Sequence, residues 1–428
     1  MDRKWTGAAL GGLLLSMTLS AHAAGTNYDK DASRLLASGK FKTATAQIDK
    51  DYERIVGDIV TLTEIEAPPF KEEQRARVYQ RMLQEHGLSD VEMDEVGNVM
   101  GLRKGTGSGP LVVIAAHLDT VFPAGTDVKV RREGHTLHAP GIGDDTSSLP
   151  VLLAFVRAMD AAGFKTRSDI LFVGNVGEEG PGDLRGTRYL FNKSKYKDRI
   201  GYFISFEPGH AGRITNGGVG SKRYKVTFTG PGGHSFGAFG LVSPAFALGQ
   251  AIEEFGKIQV PKTPKTTYNV GLIEGGTSVN SIPFAMSMTV DMRSAGKAEL
   301  DALEQQFLAI LPKAVAAENA ARSTAKGEVA YKLEAVGDRP VGHTDLDKSI
   351  SRIASAVSRA GGIEPQFGSS STDSNVPMSL GIEALTLGGG FESSRAHSLD
   401  EYVQLDKPQD VHSMSLGLAT VLMLAGVK

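Results

Sequence analysis

Histidine and carboxylate side chains in this chain of 428 residues fall where apolar segments end or where a helix begins. Imidazole and carboxylate groups hold catalytic zinc in proteins, and such sites keep open positions for water and substrate. Two histidines and three carboxylates can build two zinc sites that share one bridging carboxylate. The candidate ligands are His117, Asp144, Glu179, Glu207 and His397.

The first candidate follows the apolar segment Leu111–Ala115, which the sequence predicts to be a buried strand. His117 and Asp119 are two residues apart, so on an extended chain their side chains point the same way. Asp119 can then orient the imidazole from the side of the ring that faces away from the metal. A His-x-Asp triplet taken alone equally describes a surface histidine beside a carboxylate.

Two pairs of adjacent carboxylates come next. Asp144 and Asp145 lie in a turn that opens a predicted helix near Ser148, where an acidic residue can also serve simply as a helix cap. Glu178 and Glu179 follow a predicted strand. Neighbouring carboxylates at a buried strand end repel each other unless a cation or a proton intervenes, whereas in an exposed loop they are solvated.

Helix and strand patterns alternate along most of the chain, which predicts an α/β domain with a mainly parallel sheet. Ligands of such sheets bind at the carboxyl ends of the strands, so the five candidates are expected to converge there. Between Ser221 and Asp338 the order changes to β-α-β-β-α-β, the ferredoxin-like arrangement. We therefore predict a catalytic domain formed by residues 24–220 and 339–428, with an inserted unit of residues 221–338.

The first 23 residues have the pattern of a signal peptide. A charged start is followed by the mostly apolar segment Thr6–Ser20 and by Ala21-His22-Ala23, a small-x-small cleavage pattern. Cleavage after Ala23 would export the protein to the periplasm, or secrete it, and leave no membrane anchor. The alternative is an uncleaved signal anchor that keeps the protein on the membrane.

Composition excludes several other classes. The chain has no cysteine, so it has no disulfide, thiolate metal site or cysteine nucleophile. Its 46 Lys and Arg against 49 Asp and Glu give a net charge of −3, which argues against a nucleic-acid partner.

Taken together and in order, the motifs resemble those of the co-catalytic zinc exopeptidase superfamily, which includes carboxypeptidase G, peptidase T, aminoacylase and the acetylornithine and succinyl-diaminopimelate deacylases. Those motifs are His117-x-Asp119, Gly143-Asp144-Asp145, Gly177-Glu178-Glu179-Gly180, Phe206-Glu207-Pro208, Gly232-Gly233-His234-Ser235, Gly275–Pro283, Asp291-Met292-Arg293 and His397. The segment Ser371–Asn375 leans toward the peptidase T-like branch. One departure is Thr146-Ser147-Ser148 after the aspartate pair, where many relatives have Lys-Gly-Gly; it leaves the expected ligand Asp144 in place.

The resemblance implies a role for each candidate in the catalytic domain. His117 and Glu207 would hold one zinc ion, Glu179 and His397 the other, and Asp144 would bridge them; cobalt or manganese could substitute. Glu178 would be the general base, which takes a proton from the attacking water and passes it to the leaving amine.

For the inserted unit, the resemblance implies a lid that pairs across a homodimer. His234 would reach the oxyanion, often in the partner's site, and Asn280 and Arg293 would hold substrate, the arginine through a carboxylate. The expected activity is hydrolysis of di- and tripeptides. The alternatives are an N-acyl amino acid amidohydrolase, a glutamate carboxypeptidase-like enzyme and, in another class, a catalytically silent peptide-binding relative.

Overall fold

The computed structural model describes residues 27–427. The predicted signal peptide, residues 1–23, lies outside the described residues. Among the described helices, none combines the length and the apolar character needed to cross a membrane.

The described residues form nineteen β-strands and eleven α-helices, numbered here along the chain. The strands are β1 (Ser89–Met93), β2 (Val99–Arg103), β3 (Leu111–His117), β4 (Arg131–Glu133), β5 (Thr136–His138), β6 (Ile170–Asn175), β7 (Ile200–Glu207), β8 (Arg213–Gly218), β9 (Gly220–Thr229), β10 (Gly233–His234), β11 (Thr266–Gly275), β12 (Ser281–Ile282), β13 (Ala285–Ser294), β14 (Ala330–Arg339), β15 (Gly342–His343), β16 (Gln366–Ser370), β17 (Glu383–Gly388), β18 (Glu392–Ser394) and β19 (Tyr402–Gln404). The helices are α1 (Tyr28–Ala37), α2 (Gly39–Lys50), α3 (Tyr52–Thr63), α4 (Glu73–Glu85), α5 (Leu149–Ala161), α6 (Arg185–Asn192), α7 (Pro244–Gly256), α8 (Lys297–Ala321), α9 (Ser349–Ala360), α10 (Asn375–Ser379) and α11 (Lys407–Ala425).

Nine strands form the central sheet, in the order β1-β2-β6-β3-β7-β17-β8-β15, with β16 beside β8. Its centre is parallel: β6, β3, β7 and β17 all run in the same direction. The predicted α/β class is confirmed, but the sheet is mixed, because β1 and β2 form an antiparallel hairpin at one edge and β8 pairs antiparallel with β17 near the other.

Burial on both faces explains the near-continuous apolar sequence of the central strands. All seven residues of β3 are buried. Successive side chains of a strand point to opposite faces, so Val112 and Ile114 pack into one core cluster while Val113 and Ala115 pack into the other. Helices α5 and α11 contribute to the first cluster. The sheet is therefore the middle layer of a three-layer domain.

The inserted unit, defined here as Gly220–Arg339, has a sheet of its own. Strands β11, β13, β9 and β14 lie side by side in that order and are all antiparallel. Helices α7 and α8 cover this sheet, and Phe228, Phe255 and Phe307 are buried between the layers. This is the ferredoxin-like β-α-β-β-α-β arrangement expected from the sequence.

The parallel strands of the central sheet end at a common edge. Strand β3 ends at His117, β7 at Glu207 and β17 at Gly388, and Gly388 is in register with Glu207. The predicted strand over residues 111–115 is two residues longer than expected, so His117 belongs to the strand itself. Regular backbone hydrogen bonding thus fixes the position of the first candidate ligand.

One buried carboxyl of helix α11 leads to a prediction about stability. The hydroxyl of Tyr52 donates to Oδ2 of Asp410 over 2.6 Å, and the N–H of Asp406 donates to the same atom over 2.9 Å. Burial raises the pKa of Asp410 to about 7, against the effect of the Tyr52 hydrogen bond. The fold thus favours the protonated carboxyl, so the stability that Asp410 contributes is fully present below its unfolded pKa of about 4 and is lost as pH rises through about 7.

We expect Asp410→Asn to stabilise the protein more at pH 8 than at pH 5, by about 2 kcal/mol, since one pKa unit corresponds to about 1.4 kcal/mol. Urea unfolding of the variant and wild type at both pH values measures this difference. Asp400→Asn, which changes an exposed aspartate, is the control. An equal effect of Asp410→Asn at both pH values would contradict the prediction.

Candidate metal centre

His117 lies at the end of β3 and is buried among carboxylates. Its Nε2 is 3.0 Å from Oδ1 of Asp144 and 4.0 Å from Oε2 of Glu207. Its Nδ1 is 2.9 Å from the backbone carbonyl oxygen of Asp119. The imidazole is therefore held from one side by the backbone and presents its other nitrogen to the acidic cluster.

His397 approaches the same cluster from the loop between β18 and β19. Its Nε2 is 3.2 Å from Oδ2 of Asp144 and 2.9 Å from Oε1 of Glu179. Its backbone φ is 65°, an uncommon conformation for a residue other than glycine, which the surrounding structure must hold in place. The two oxygens of Asp144 thus face two different histidines, as a bridging ligand requires.

The structure brings all five predicted ligands together. Two groups of side chains have potential ligand atoms within 4.8 Å of one another: His117 with Asp144 and Glu179, and His117 with Asp145 and Glu207. Asp145 belongs to the second group by distance, but its Oδ2 already accepts a hydrogen bond from the N–H of His117 over 3.0 Å. Asp144 contacts both histidines and is the better placed of the two to bridge.

The chemistry of this donor set fits divalent cations. Hydrogen bonds that the ring of His397 donates to the carboxylates of Asp144 and Glu179 raise the pKa of His397 to about 10. Burial would lower the pKa of His117, but the carboxylates of Asp119 and Asp144 raise it well above its usual range. A site negative enough to stabilise two imidazolium ions is also negative enough to attract metal ions, with neutral imidazoles as ligands.

Glu178 is adjacent to this cluster and differs from it in its contacts. Its Oε1 accepts a hydrogen bond from Nη1 of Arg339 over 2.9 Å, and its backbone oxygen accepts one from Nη2. Burial raises the pKa of Glu178 well above its usual range, although Arg339 opposes the shift. A carboxylate with a raised pKa that contacts neither histidine has the properties of a general base.

Asp119 connects the loop that follows β3 to the turn that carries Glu178 and Glu179. Its carboxylate accepts hydrogen bonds from the N–H groups of Glu178, over 3.0 Å, and Glu179, over 2.8 Å. Oδ1 of Asp119 is 3.6 Å from Nδ1 of His117, too far for a hydrogen bond. The expected orientation of the imidazole by Asp119 is thus provided by its backbone oxygen, while its carboxylate fixes the Glu178-Glu179 turn.

Sequence comparison agrees with this geometry. Residues 113–420, which include every candidate ligand, match the family Peptidase_M20, described as peptidase family M20/M25/M40. The chain belongs to peptidase family M20/M25/M40.

Two relatives whose names state an activity match part of this chain in sequence. A protein of Pyrococcus abyssi, provisionally named as a LysW-lysine/LysW-ornithine hydrolase, is 35% identical over 160 residues, 37% of this chain and 42% of that protein. The succinyl-diaminopimelate desuccinylase of Leptothrix cholodnii is 28% identical over 250 residues, 53% of this chain and 63% of that enzyme. The match thus spans less than two thirds of either relative.

One solved structure resembles most of this chain in fold. Aminopeptidase PepT from Bacillus cereus superposes with a TM-score of 0.70 at 19% identity, covering 87% of this chain and 98% of that one. At this identity the likeness establishes the fold.

The structure does not bring every predicted residue to the M20 metal centre. Arg293 lines the cavity of about 910 Å³ that contains Asp144, Glu178 and Glu179. His234 and Asn280 are not among the residues that line it. They lie together at the small exposed sheet formed by β10 and β12, where the N–H of Ser235 donates to the backbone oxygen of Asn280. Their roles toward substrate therefore stay a prediction.

Two buried residues that support the ligands carry no motif in the sequence. The guanidinium of Arg75, in α4, donates to the backbone oxygen of Leu118 over 2.8 Å and to Oγ1 of Thr146 over 3.2 Å. Glu401 accepts hydrogen bonds from the N–H groups of Gly141, Gly143 and Asp144 over 2.8–2.9 Å. Both residues contact segments that are distant in the sequence, so only the folded structure shows that they support the ligands.

Glu401 leads to a prediction about metal affinity. Its carboxylate ties three N–H groups of the turn that carries Asp144, so Glu401→Ala leaves them without acceptors and frees that turn. Removal of a residue that orients a metal ligand usually weakens metal binding about 10–100-fold, and we expect that range. Competition with a zinc-sensitive dye measures it. Glu133→Ala, at an exposed glutamate of β4 in the adjoining small sheet, should change nothing; an equal loss in both variants would contradict the prediction.

Proposed function

We propose that this protein is an exported, zinc-dependent exopeptidase that hydrolyses short peptides. Membership in the M20 family makes it a metal-dependent hydrolase of amide bonds. The observation that carries the finer proposal is the convergence of two histidines and three carboxylates beside the buried Glu178, where His397 and the three carboxylates line a cavity of about 910 Å³ and His117 lies behind Asp144.

The proposal assigns the ligands by their contacts. His117 and Glu207 would hold one ion, His397 and Glu179 the other, and Asp144 would contribute one oxygen to each. Two divalent ions, when bound, supply the Lewis acidity that activates water and polarises an amide carbonyl. Zinc suits this mixture of imidazole and carboxylate ligands, and cobalt or manganese are possible substitutes.

Proton transfer is the part of the reaction that we assign to Glu178. Burial raises its pKa, which makes its carboxylate a stronger base than an exposed glutamate, able to accept a proton from the attacking water and later release it to the leaving amine. Arg339, which holds its Oε1, keeps the carboxylate in one orientation. Asp119 fixes the backbone N–H groups of the same turn.

The cavity favours short substrates over folded proteins. It has polar walls contributed by Arg223 and Arg293 of the inserted unit and by the end of the central sheet. We propose di- and tripeptides as substrates. The named activity of the L. cholodnii relative, a desuccinylase, favours N-acyl amino acids as the second candidate class.

A homodimer through the inserted unit is part of the proposal. His234 lies in the exposed two-stranded sheet of β10 and β12, and Phe236, Phe239 and Val279 in the adjoining loops are 89%, 90% and 102% exposed. Exposed apolar side chains of this size are common at protein interfaces. A second copy that covers this small sheet would bring His234 toward the partner's cavity.

The test is a substrate panel assayed with and without a chelator. Di- and tripeptides with free ends should be hydrolysed, with activity lost on chelation and restored by zinc. Turnover of N-acyl amino acids alone would instead support the amidohydrolase, and no turnover on any substrate with zinc restored would support a silent binding protein. Blocking either terminus of a cleaved peptide shows which end is recognised.

The location is tested separately, by following the protein through cell fractionation. A processed chain in the periplasm or medium supports export, and an unprocessed chain in the membrane fraction supports the signal anchor.

A further inference from the structure

The wall of the cavity beside the metal centre is rich in arginine. Five arginines and four carboxylates line it. The carboxylates are Asp144, Glu178, Glu179 and Glu207, so two divalent ions would offset their charge of −4. Asp291 and Asp400 pair with arginines of the wall and offset two of their five positive charges, and the positive charge that remains in the loaded cavity favours anionic substrates.

Two of these arginines form a clamp in the inserted unit. Nε of Arg223 donates to Oδ1 of Asp291 over 2.9 Å, and Nε of Arg293 donates to Oδ2 over 2.7 Å. One carboxylate thus holds two guanidinium groups by their Nε atoms. Among the described residues, the terminal nitrogens of Arg293 have no hydrogen-bond partner, and those of Arg223 have only the backbone oxygen of Gly180 over 3.4 Å. The clamp can therefore receive one substrate carboxylate.

A further arginine lines the same cavity from the central sheet. Arg213 begins β8, six residues after Glu207, and a Cβ added at Gly209 would lie 3.1 Å from its Nη1, so its guanidinium lies along the turn that follows that ligand. The side chain is exposed and makes no hydrogen bond or ion pair with any residue between 27 and 427.

One polar side chain of the neighbouring strand lies beside Arg213. Gln366 is in register with Arg213 across the parallel β8–β16 pair, whereas Ser369 and Ser370 pair with Gly217 and Gly218, further along β8. Gln366 and the two serines line the cavity, are exposed, and have no side-chain hydrogen bond within the described part of the chain. An arginine with an amide donor beside it, in a cavity wall that also carries hydroxyl groups, is suited to bind a carboxylate.

We propose that the enzyme prefers substrates with two carboxylates, one bound by the Arg223–Arg293 clamp and the second by Arg213. This inference rests on the proposed function and names its substrate class: dipeptides with an acidic residue, or amino acids with a dicarboxylic acyl group. Arg213 is the residue that distinguishes them from substrates with a single carboxylate.

Matched substrates test this preference, each pair differing only in one carboxylate: Ala-Glu and Ala-Gln, Asp-Ala and Asn-Ala, N-succinyl-alanine and N-succinamoyl-alanine. We expect kcat/KM of the zinc-loaded enzyme to be at least about tenfold higher for the acidic member of at least one pair. Arg213→Gln should reduce that ratio about tenfold, mainly through KM, because a binding contact is lost. Arg81→Gln, at an exposed arginine of α4 that does not line the cavity, is the matched control and should keep the wild-type ratio.

Three results would overturn the inference. Equal kcat/KM within every pair would show that the second carboxylate is not recognised. An Arg213→Gln variant that keeps the wild-type ratio, or that loses activity equally on both members of a pair, would remove Arg213 from this role. In each of these cases the proposed metal-dependent hydrolysis would still stand, whereas no zinc-dependent turnover on any of the six substrates, or on the wider panel, would contradict the proposed function itself.

Discussion

Glu178→Gln lowers kcat about 10³-fold and leaves two metal ions bound, if Glu178 is the base. General acid–base groups contribute about 10²–10⁴-fold to a rate, and glutamine cannot accept the proton. Metal should stay because Glu178 contacts Arg339 and neither histidine. Glutamine is the better replacement, since its side-chain oxygen can still accept the hydrogen bond from Arg339, whereas alanine leaves a buried guanidinium without its partner.

The neighbouring residue supplies the control for this prediction. Glu179→Gln changes the same chemical group one position along the chain, but Glu179 contacts His397 over 2.9 Å and is a proposed ligand. We expect Glu179→Gln to lose metal as well as activity. Elemental analysis together with steady-state kinetics separates the two variants. Loss of metal from Glu178→Gln would show that Glu178 is a ligand and would assign the base elsewhere.

The residues that the sequence could predict are those whose chemistry is unusual for their position. A buried apolar strand such as β3 has few polar residues, so a histidine at its end is conspicuous, and parallel strands place such ends together. The ferredoxin-like order of the inserted unit followed from helix and strand patterns in the same way. Each of these inferences uses local periodicity, which the fold preserves.

The residues that the sequence could not predict act through distant contacts. Arg339 and Glu178 are 161 positions apart, and Glu401 reaches the turn before Asp144 from 257 positions away. Arg339 and Glu401 stand in no recognisable sequence pattern. Arginine and glutamate are common surface residues, so their type alone does not mark them either. Strands β8 and β16 were also not predicted, and they carry Arg213 and Gln366. Their short, Gly- and Ser-rich sequences lack the apolar alternation that identifies most strands.

The second large effect is expected at the aspartate pair. Asp144→Asn should reduce the bound metal from two ions to fewer than one and abolish turnover. Its two oxygens face His117 over 3.0 Å and His397 over 3.2 Å, so one substitution weakens both sites. Changes to residues that only orient a ligand weaken metal binding about 10–100-fold, and loss of a shared ligand should exceed that range.

Asp145→Asn is the matched control, and it also decides between the two aspartates. Asp145 is buried and accepts a hydrogen bond from the N–H of His117, which the oxygen of an asparagine side chain can also accept. Burial raises the pKa of Asp145 well above its usual range, so the neutral amide resembles the form that the fold favours. We therefore expect this variant to keep both metals and most of its activity. If instead Asp145→Asn loses metal while Asp144→Asn keeps it, the bridging ligand is Asp145 and our assignment of Asp144 is wrong.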